Sequence, residues 1–221
     1  MPDIEPINRD LAQIRAQFAS MSPLAAPHPY LEQERRIPAL VQMDQRFAMR
    51  IYTDPHSNAV FPHYDLEGLC GFEIRNTRFK GFAKGGRKGL WYSACSSGDH
   101  TLVITESAIE ALSYHALHRP KATRYFSIAG EMSPTQPALL QAAFAKLPPS
   151  ASLIIATNND PAGKHLAEHI RAIATATGRD DLAILEHTPE GEGADWNDVL
   201  KDQGDTFLSL EKKIVEYGFQ S

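Results

Sequence analysis

The chain has 221 residues, 43% of them apolar and 22% charged, with a formal net charge of −5. That is enough to bury a sizeable core in one large domain or two small ones. No apolar run reaches the roughly 18 residues of a membrane span, and the acidic, polar start (Met1 to Asp10) lacks a signal-peptide core, so a cytoplasmic protein is expected. The two cysteines, Cys70 and Cys95, are too few for a disulfide framework or a four-cysteine zinc ribbon and read as reduced thiols. The negative net charge excludes a basic nucleic-acid coat and leaves local charge to decide that question.

Taken in order, Ile7 to Phe18 has the spacing of a short amphipathic helix, and Ser20 to Pro29 reads as a linker. Tyr30 to Met43 predicts one or two short helices broken at Pro38. From Arg46 the pattern changes. Phe47 to Tyr52, Asn58 to Phe61 and Leu69 to Ile74 are short alternating or apolar segments between turn-formers, as in a small antiparallel sheet. Arg75, Arg78, Lys80, Lys84, Arg87 and Lys88 then follow, with no acid between Glu73 and Asp99. Phe79, Phe82, Trp91 and Tyr92 interleave with them. Basic side chains neutralise phosphates and aromatic faces stack unpaired bases, so this segment predicts contact with single strands; the alternative is a solvated loop flanked by core aromatics.

From Thr101 the chain alternates strand and helix. Thr101 to Thr105, Tyr125 to Ile128, Leu153 to Ala156 and Leu182 to Leu185 read as strands. Ser107 to His118, Pro134 to Leu147 and Pro161 to Thr177 read as helices. Repeated units of this length imply an α/β fold, a mostly parallel sheet flanked by helices, with Leu153 to Ala156 as its central strand. A last helix is predicted over Thr206 to Tyr217. The expected division is an N-terminal helix and linker (1–27), a small α+β antiparallel subdomain with the basic loop (28–98), the parallel-sheet domain (99–202) and a C-terminal helix (203–221).

The acids fall at strand ends. Glu106 follows the first strand of this unit, Asp160 a later one, and Asp195 and Asp198 the last. In a parallel sheet these ends share one edge, which is where open α/β sheets bind ligands. Convergent carboxylates repel unless a cation lies between them, and hard oxygen donors favour Mg²⁺ or Mn²⁺, which can stabilise charge during phosphoryl transfer. Each acid has a plainer reading: Glu106 as a cap of the next helix, Asp160 as a helix-start residue, and Asp195 with Asp198 as a capping box. His165 and His169, four apart on a helix, read as exposed polar face, because no third zinc ligand accompanies them.

Thr105-Glu-Ser107 after an apolar strand, followed by Ala108 to Ser113, resembles the glutamate motif of toprim (topoisomerase–primase) domains. Asn158-Asn-Asp160 with Ala162-Gly163 resembles their Asp-x-Asp motif, and Asp195-Trp-Asn-Asp198 is similar to the later acidic motif of the primase branch. Asn58 to Pro62, Gly71 to Arg75 and Phe79-Lys-Gly81 resemble the small domain that precedes toprim in bacterial replicative primases and, more closely, the toprim-containing proteins of plasmids and integrative elements. The resemblance spans about residues 28 to 202. It implies metal-dependent nucleotidyl transfer on nucleic acid, with a toprim nuclease or an inactive single-strand-binding module as alternatives. By matching positions it makes Glu106, Asn158 and Asp160 the catalytic residues. Glu106, Asp160, Asp195 and Asp198 would hold Mg²⁺ or Mn²⁺, and Arg75 and Lys80 would belong to the basic track that holds nucleic acid, which Lys84, Arg87 and Lys88 of the acid-free run extend by their charge. The implied partners are single-stranded DNA or RNA, nucleoside triphosphates, and replication or conjugation proteins. Asn158 stands where the motif has its first Asp, which removes a negative charge from the metal site. The late motif has Asn197 at the usual spacing of its second acid, with Asp198 one further on.

Overall fold

A computed structural model describes residues 11–203. Two five-stranded sheets share the chain, the first antiparallel and the second mostly parallel. The first takes its strands in sequence order: β1 (Ser22–Pro23), β2 (Tyr52–Thr53), β3 (Ala59–Asp65), β4 (Gly68–Arg75) and β5 (Lys80–Phe82). Helix α1 (Leu11–Phe18) buries Ile14 against this sheet, beside Tyr52, Val60 and Phe72. The expected linker therefore contributes an edge strand, because β1 pairs antiparallel with β2. The expected break at Pro38 is present: a π-helical turn (Tyr30–Glu34) precedes it and α2 (Ala39–Gln42) follows. The stretch 47–52 differs from the expectation of a strand. Phe47 N–H bonds to Asp44 O and Arg50 N–H to Phe47 O, so the backbone turns, and Phe47 is buried by that turn rather than by alternation.

The second sheet has the order β10-β9-β7-β8-β6. Its members are β6 (Trp91–Tyr92), β7 (Thr101–Thr105), β8 (Thr123–Ser127), β9 (Ser152–Ile155) and β10 (Ala183–Glu186). All neighbours are parallel except β6, which runs antiparallel to β8. The central strand is β7, not the expected 153–156 segment, which lies between β7 and β10. Helices α3 (Ala108–His118), α4 (Gln136–Ala145) and α5 (Pro161–Thr175) make the crossovers, and α6 begins at residue 196. The chain moves one way across the sheet from β7 to β8, then reverses to β9 and β10. Right-handed crossovers therefore put α3 on one face and α4 and α5 on the other.

Burial follows that division with the two-residue period of a strand. Leu102, Ile104, Leu153 and Ile155 face α4 and α5, where they join Leu140, Phe144, Leu166 and Ile170. Val103 and Ile154 face α3. The α3 side is continuous with the inner face of the first sheet, since Phe61, Phe47 and Trp91 belong to the same core as Val103, Leu112 and Tyr125. A lone bridge between Tyr64 and Leu90 ties the sheets together at one edge. The helix expected over 206–217 lies outside the described residues. Among those described, no helix is long and apolar enough to cross a membrane.

Candidate active site

The reversal of strand order at β7 opens a crevice beyond the carboxyl ends of β7 and β9. Glu106 stands there directly after β7, half-buried, and its Oε1 accepts the Asn158 backbone N–H at 3.1 Å. Burial pushes its carboxyl above the ordinary value, and the nearby Asp160 and Asp195 charges act in the same direction. The Asn158 N–H and the Lys80 ammonium partly offset this. Glu106, Asp160, Asp195 and Lys80 are thus close enough to share one electrostatic field. Glu106 does not cap α3. Ser107 does, accepting the Glu110 N–H at 3.3 Å.

The turn after β9 explains why Ala162-Gly163 trails the acids. Asp160 caps α5 by accepting the Gly163 N–H at 2.7 Å, and Pro161 occupies the first helical turn, where no donor is missed. A Cβ on Gly163 would lie 2.2 Å from the Asn158 carbonyl oxygen, so only glycine allows the turn to close this tightly. Asn159 then fixes the late acidic loop. Its N–H bonds to Ala194 O, its carbonyl accepts the Gly193 N–H, and its side-chain amide donates to Gly191 O at 2.9 Å. Trp196 donates its indole N–H to Ala156 O at 3.0 Å and pins the start of α6 beside β9. These contacts carry Asp195 to the crevice.

The late acids realise the capping box. Asp195 Oδ1 accepts the Asp198 N–H at 2.8 Å, and Asp198 Oδ2 takes the Asp195 N–H at 3.4 Å. Asp198 is exposed and pairs with Lys201 at 3.7 Å, whereas Asp195 is half-buried and lines a small polar cleft with Glu110, Arg75 and Lys80. Asn197, at the spacing of the motif's second acid, is buried and joins elements distant in sequence. Its amide donates to Arg35 O at 2.6 Å and to Ser113 Oγ at 3.0 Å.

Glu110 is the residue that sequence reasoning missed. It is 6% exposed and accepts from Glu106 N–H and from the Ser107 hydroxyl at 3.1 and 2.9 Å. Burial, with Glu106 and Asp195 nearby, pushes its carboxyl up to about 8. The signal was present as a Ser-x-x-Glu capping box and as an acid one helical turn after Glu106.

The basic segment divides. Lys80 and Lys84 are exposed and make no ion pair among the described residues. Arg87 is held by Asp65 and Glu67 at 2.7 and 2.8 Å, so the acids missing from the run are supplied by the β3–β4 hairpin. Lys88 donates to Glu131 O at 3.0 Å, and Arg75 pairs with Glu73 at 3.0 Å while lining the same polar cleft. Among the aromatics, Phe79 is exposed. Trp91 is fully buried with its N–H on Arg50 O, and Tyr92 stacks under the Arg50 guanidinium, so neither is a free stacking face. His165 and His169 are exposed on α5, as expected.

No group of three or more His, Cys, Asp or Glu side chains among the described residues is arranged to hold a metal ion. The donors nevertheless suit a hard cation in kind. Glu106 and Asp160 each use one oxygen in the bonds above, and Asn158 Oδ1 is buried without a hydrogen-bond partner. An orphaned buried oxygen on the residue whose N–H meets Glu106, two residues before Asp160, is a donor a divalent ion would satisfy.

Residues 103–200 match the model of a family described as toprim-like, and residues 29–100 match a family described as a protein of unknown function (DUF3991). No curated protein matches the sequence. Among solved structures, the chain is similar to the primase fragment of the bacteriophage T7 primase-helicase protein at 15% identity and a TM-score of 0.52, covering 83% of this chain and 73% of that one. It is also similar to a DNA primase domain from Pseudomonas aeruginosa (14% identity, TM-score 0.48, 81% of this chain and 61% of that one) and to the DnaG catalytic core (16%, 0.45, 91% and 68%). At 15% identity the likeness to the T7 fragment is one of fold.

Proposed function

We propose, from the premise that residues 103–200 are a toprim-like domain in a primase-like fold, that the chain carries out metal-dependent nucleotidyl transfer on nucleic acid. The observation that carries this reading is the crevice at the β7–β9 switch, where Glu106 accepts the Asn158 N–H at 3.1 Å two residues before Asp160, with Asp195 and Lys80 nearby. Glu106, Asp160 and Asn158 Oδ1 would hold Mg²⁺ or Mn²⁺, with Asp195 near enough to balance its charge. The ion, when bound, supplies stabilisation of charge developing on phosphate oxygens. An ion bound by Glu106 would draw its raised carboxyl back to the ionised form, so the catalytic part of Glu106 here is to hold the ion rather than to take a proton. Glu110, protonated and buried behind it, keeps a further negative charge out of the crevice. Lys80 and Lys84, with Arg75 in the cleft, would hold the phosphates of a single strand or a nucleotide. Arg87 and Lys88 hold the loop that presents them. The likeness of fold to the T7 primase fragment favours oligonucleotide synthesis over hydrolysis, in a replication or conjugation setting of a plasmid or mobile element.

A second reading, a single-strand-binding module without chemistry, is favoured by one observation: Asp160 and Asp195 both spend an oxygen as helix caps, and Asn158 lacks the charge of the motif's Asp. Incubation with a single-stranded template, labelled nucleotides and Mg²⁺ or Mn²⁺ separates the readings. New oligomers support nucleotidyl transfer, shortened template supports a nuclease, and a gel shift alone supports the binding module.

A further inference from the structure

Glu73 lies on β4 two residues before Arg75, so both side chains leave the same face of the strand. That face turns into the core between the two sheets, where Glu73 is paired in register with the buried Phe61. The Glu73 side chain is 3% exposed. Its Oε2 accepts from Arg75 Nε at 3.0 Å, and its Oε1 is buried with no hydrogen-bond partner. Stability is a weak account of such a pair: the cost of taking two charges out of water offsets most of their attraction, and an apolar pair of similar volume often serves a core as well. What the pair does is hold Arg75 in one orientation. A guanidinium has five N–H donors, and Nε is the one Glu73 takes. The two outer amino groups make no hydrogen bond among the described residues, and Arg75 lines the cleft that contains Lys80, Ser107 and Asp195.

We infer that Glu73 is a positioning residue, which fixes Arg75 through Nε so that its outer amino groups present a fork to a phosphate in this cleft. Such a fork binds phosphate bidentately, and its geometry is lost when the guanidinium rotates. The inference rests on the phosphate-binding reading of the cleft given above.

The test is a double-mutant cycle on the full chain, read as the dissociation constant of a short fluorescent single-stranded oligothymidylate at fixed salt. Arg75→Ala and Glu73→Ala should each weaken binding about tenfold, the scale of one hydrogen bond to a charged group. Glu73→Gln, whose amide oxygen still accepts from Nε, should stay within about threefold of the parent. The double variant should bind no more weakly than Arg75→Ala alone, because Glu73 has nothing left to position. If Glu73→Ala fails to fold, the cycle is run with Glu73→Met, which fills the space without an acceptor. An effect of the Glu73 change that persists undiminished without Arg75 overturns the inference and makes Glu73 structural. Parental binding by a Glu73→Ala protein, with Arg75→Ala weakened, overturns it too while sparing the phosphate reading. Parental binding by Arg75→Ala removes the phosphate reading itself.

Discussion

Replacing Glu110 with Gln should flatten the dependence of folding stability on pH. The native protein holds this buried carboxyl protonated up to about pH 8, against an ordinary value of 4.5. Between those limits the folded state binds a proton that the unfolded state has shed, so stability falls as pH rises. Below the ordinary value both states are protonated and there is no penalty; above about pH 8 it is complete. At about 1.4 kcal/mol per pH unit the full penalty is on the order of 3–5 kcal/mol. Glu106, also raised by burial, adds to the same slope and remains in the variant. Gln keeps the volume but carries two hydrogens where the protonated carboxyl carries one, which loses one accepted bond beside Ser107 Oγ and Glu106 N–H, a cost of about 1 kcal/mol. Urea unfolding near pH 5 should therefore find the variant slightly less stable than the parent, and near pH 8.5 more stable by roughly 2–4 kcal/mol. A difference between the two proteins that does not change with pH would refute the reasoning, because it would mean that Glu110 does not retain its proton when the chain folds.

Restoring the motif's carboxylate with Asn158→Asp should tighten Mg²⁺ or Mn²⁺ binding about tenfold, equivalent to about 1.4 kcal/mol, and lower the melting temperature in chelator, where like charges crowd. Calorimetric titration and melting curves check both. Lys80→Ala with Lys84→Ala should reduce the log–log salt slope of single-strand binding by about 0.7 for each phosphate no longer neutralised, whereas Arg87→Ala should mainly lower stability, since its charge is already met by Asp65 and Glu67. Salt titrations of the variants measure this. Gly163→Ala should destabilise the fold by about 1–3 kcal/mol, because its Cβ would push the 158–160 turn away, and should weaken metal binding in the same protein. Urea unfolding and Mn²⁺ titration of that variant check the pair of effects.

The parallel half of the molecule was legible because its signals are local. Strands such as Leu102 to Ile104 are apolar on both faces, and the residues that end them are charged or turn-forming, so Glu106 and Asp160 could be placed at the sheet edge from spacing alone. What was not legible depends on contacts distant in sequence. The run from Arg75 to Lys88 reads as uncompensated until the hairpin turn brings Asp65 and Glu67 against Arg87. Trp91 reads as a stacking platform until β6 adds to the second sheet and buries it. Asn159 looks like the spacer of its motif, yet it is the residue that ties the late acidic loop to the β9 turn. Glu110 was open to a local reading, as the partner of Ser107 in a capping box, but only burial turns it from a helix start into a proton holder. The order of strands, with β7 rather than β9 at the centre, follows from the reversal of the chain after β8, which periodicity does not encode.

The measurement that bears most directly on the central claim is a calorimetric Mn²⁺ titration of the parent protein beside Glu106→Gln and Asp160→Asn. A shared divalent site predicts one saturable binding event in the parent, weakened about tenfold or more by either substitution, with both variants still folded. Equal Mn²⁺ affinity in all three proteins, or no binding in the parent, would contradict a metal site at the end of β7 and leave the chain a binder of nucleic acid without chemistry of its own.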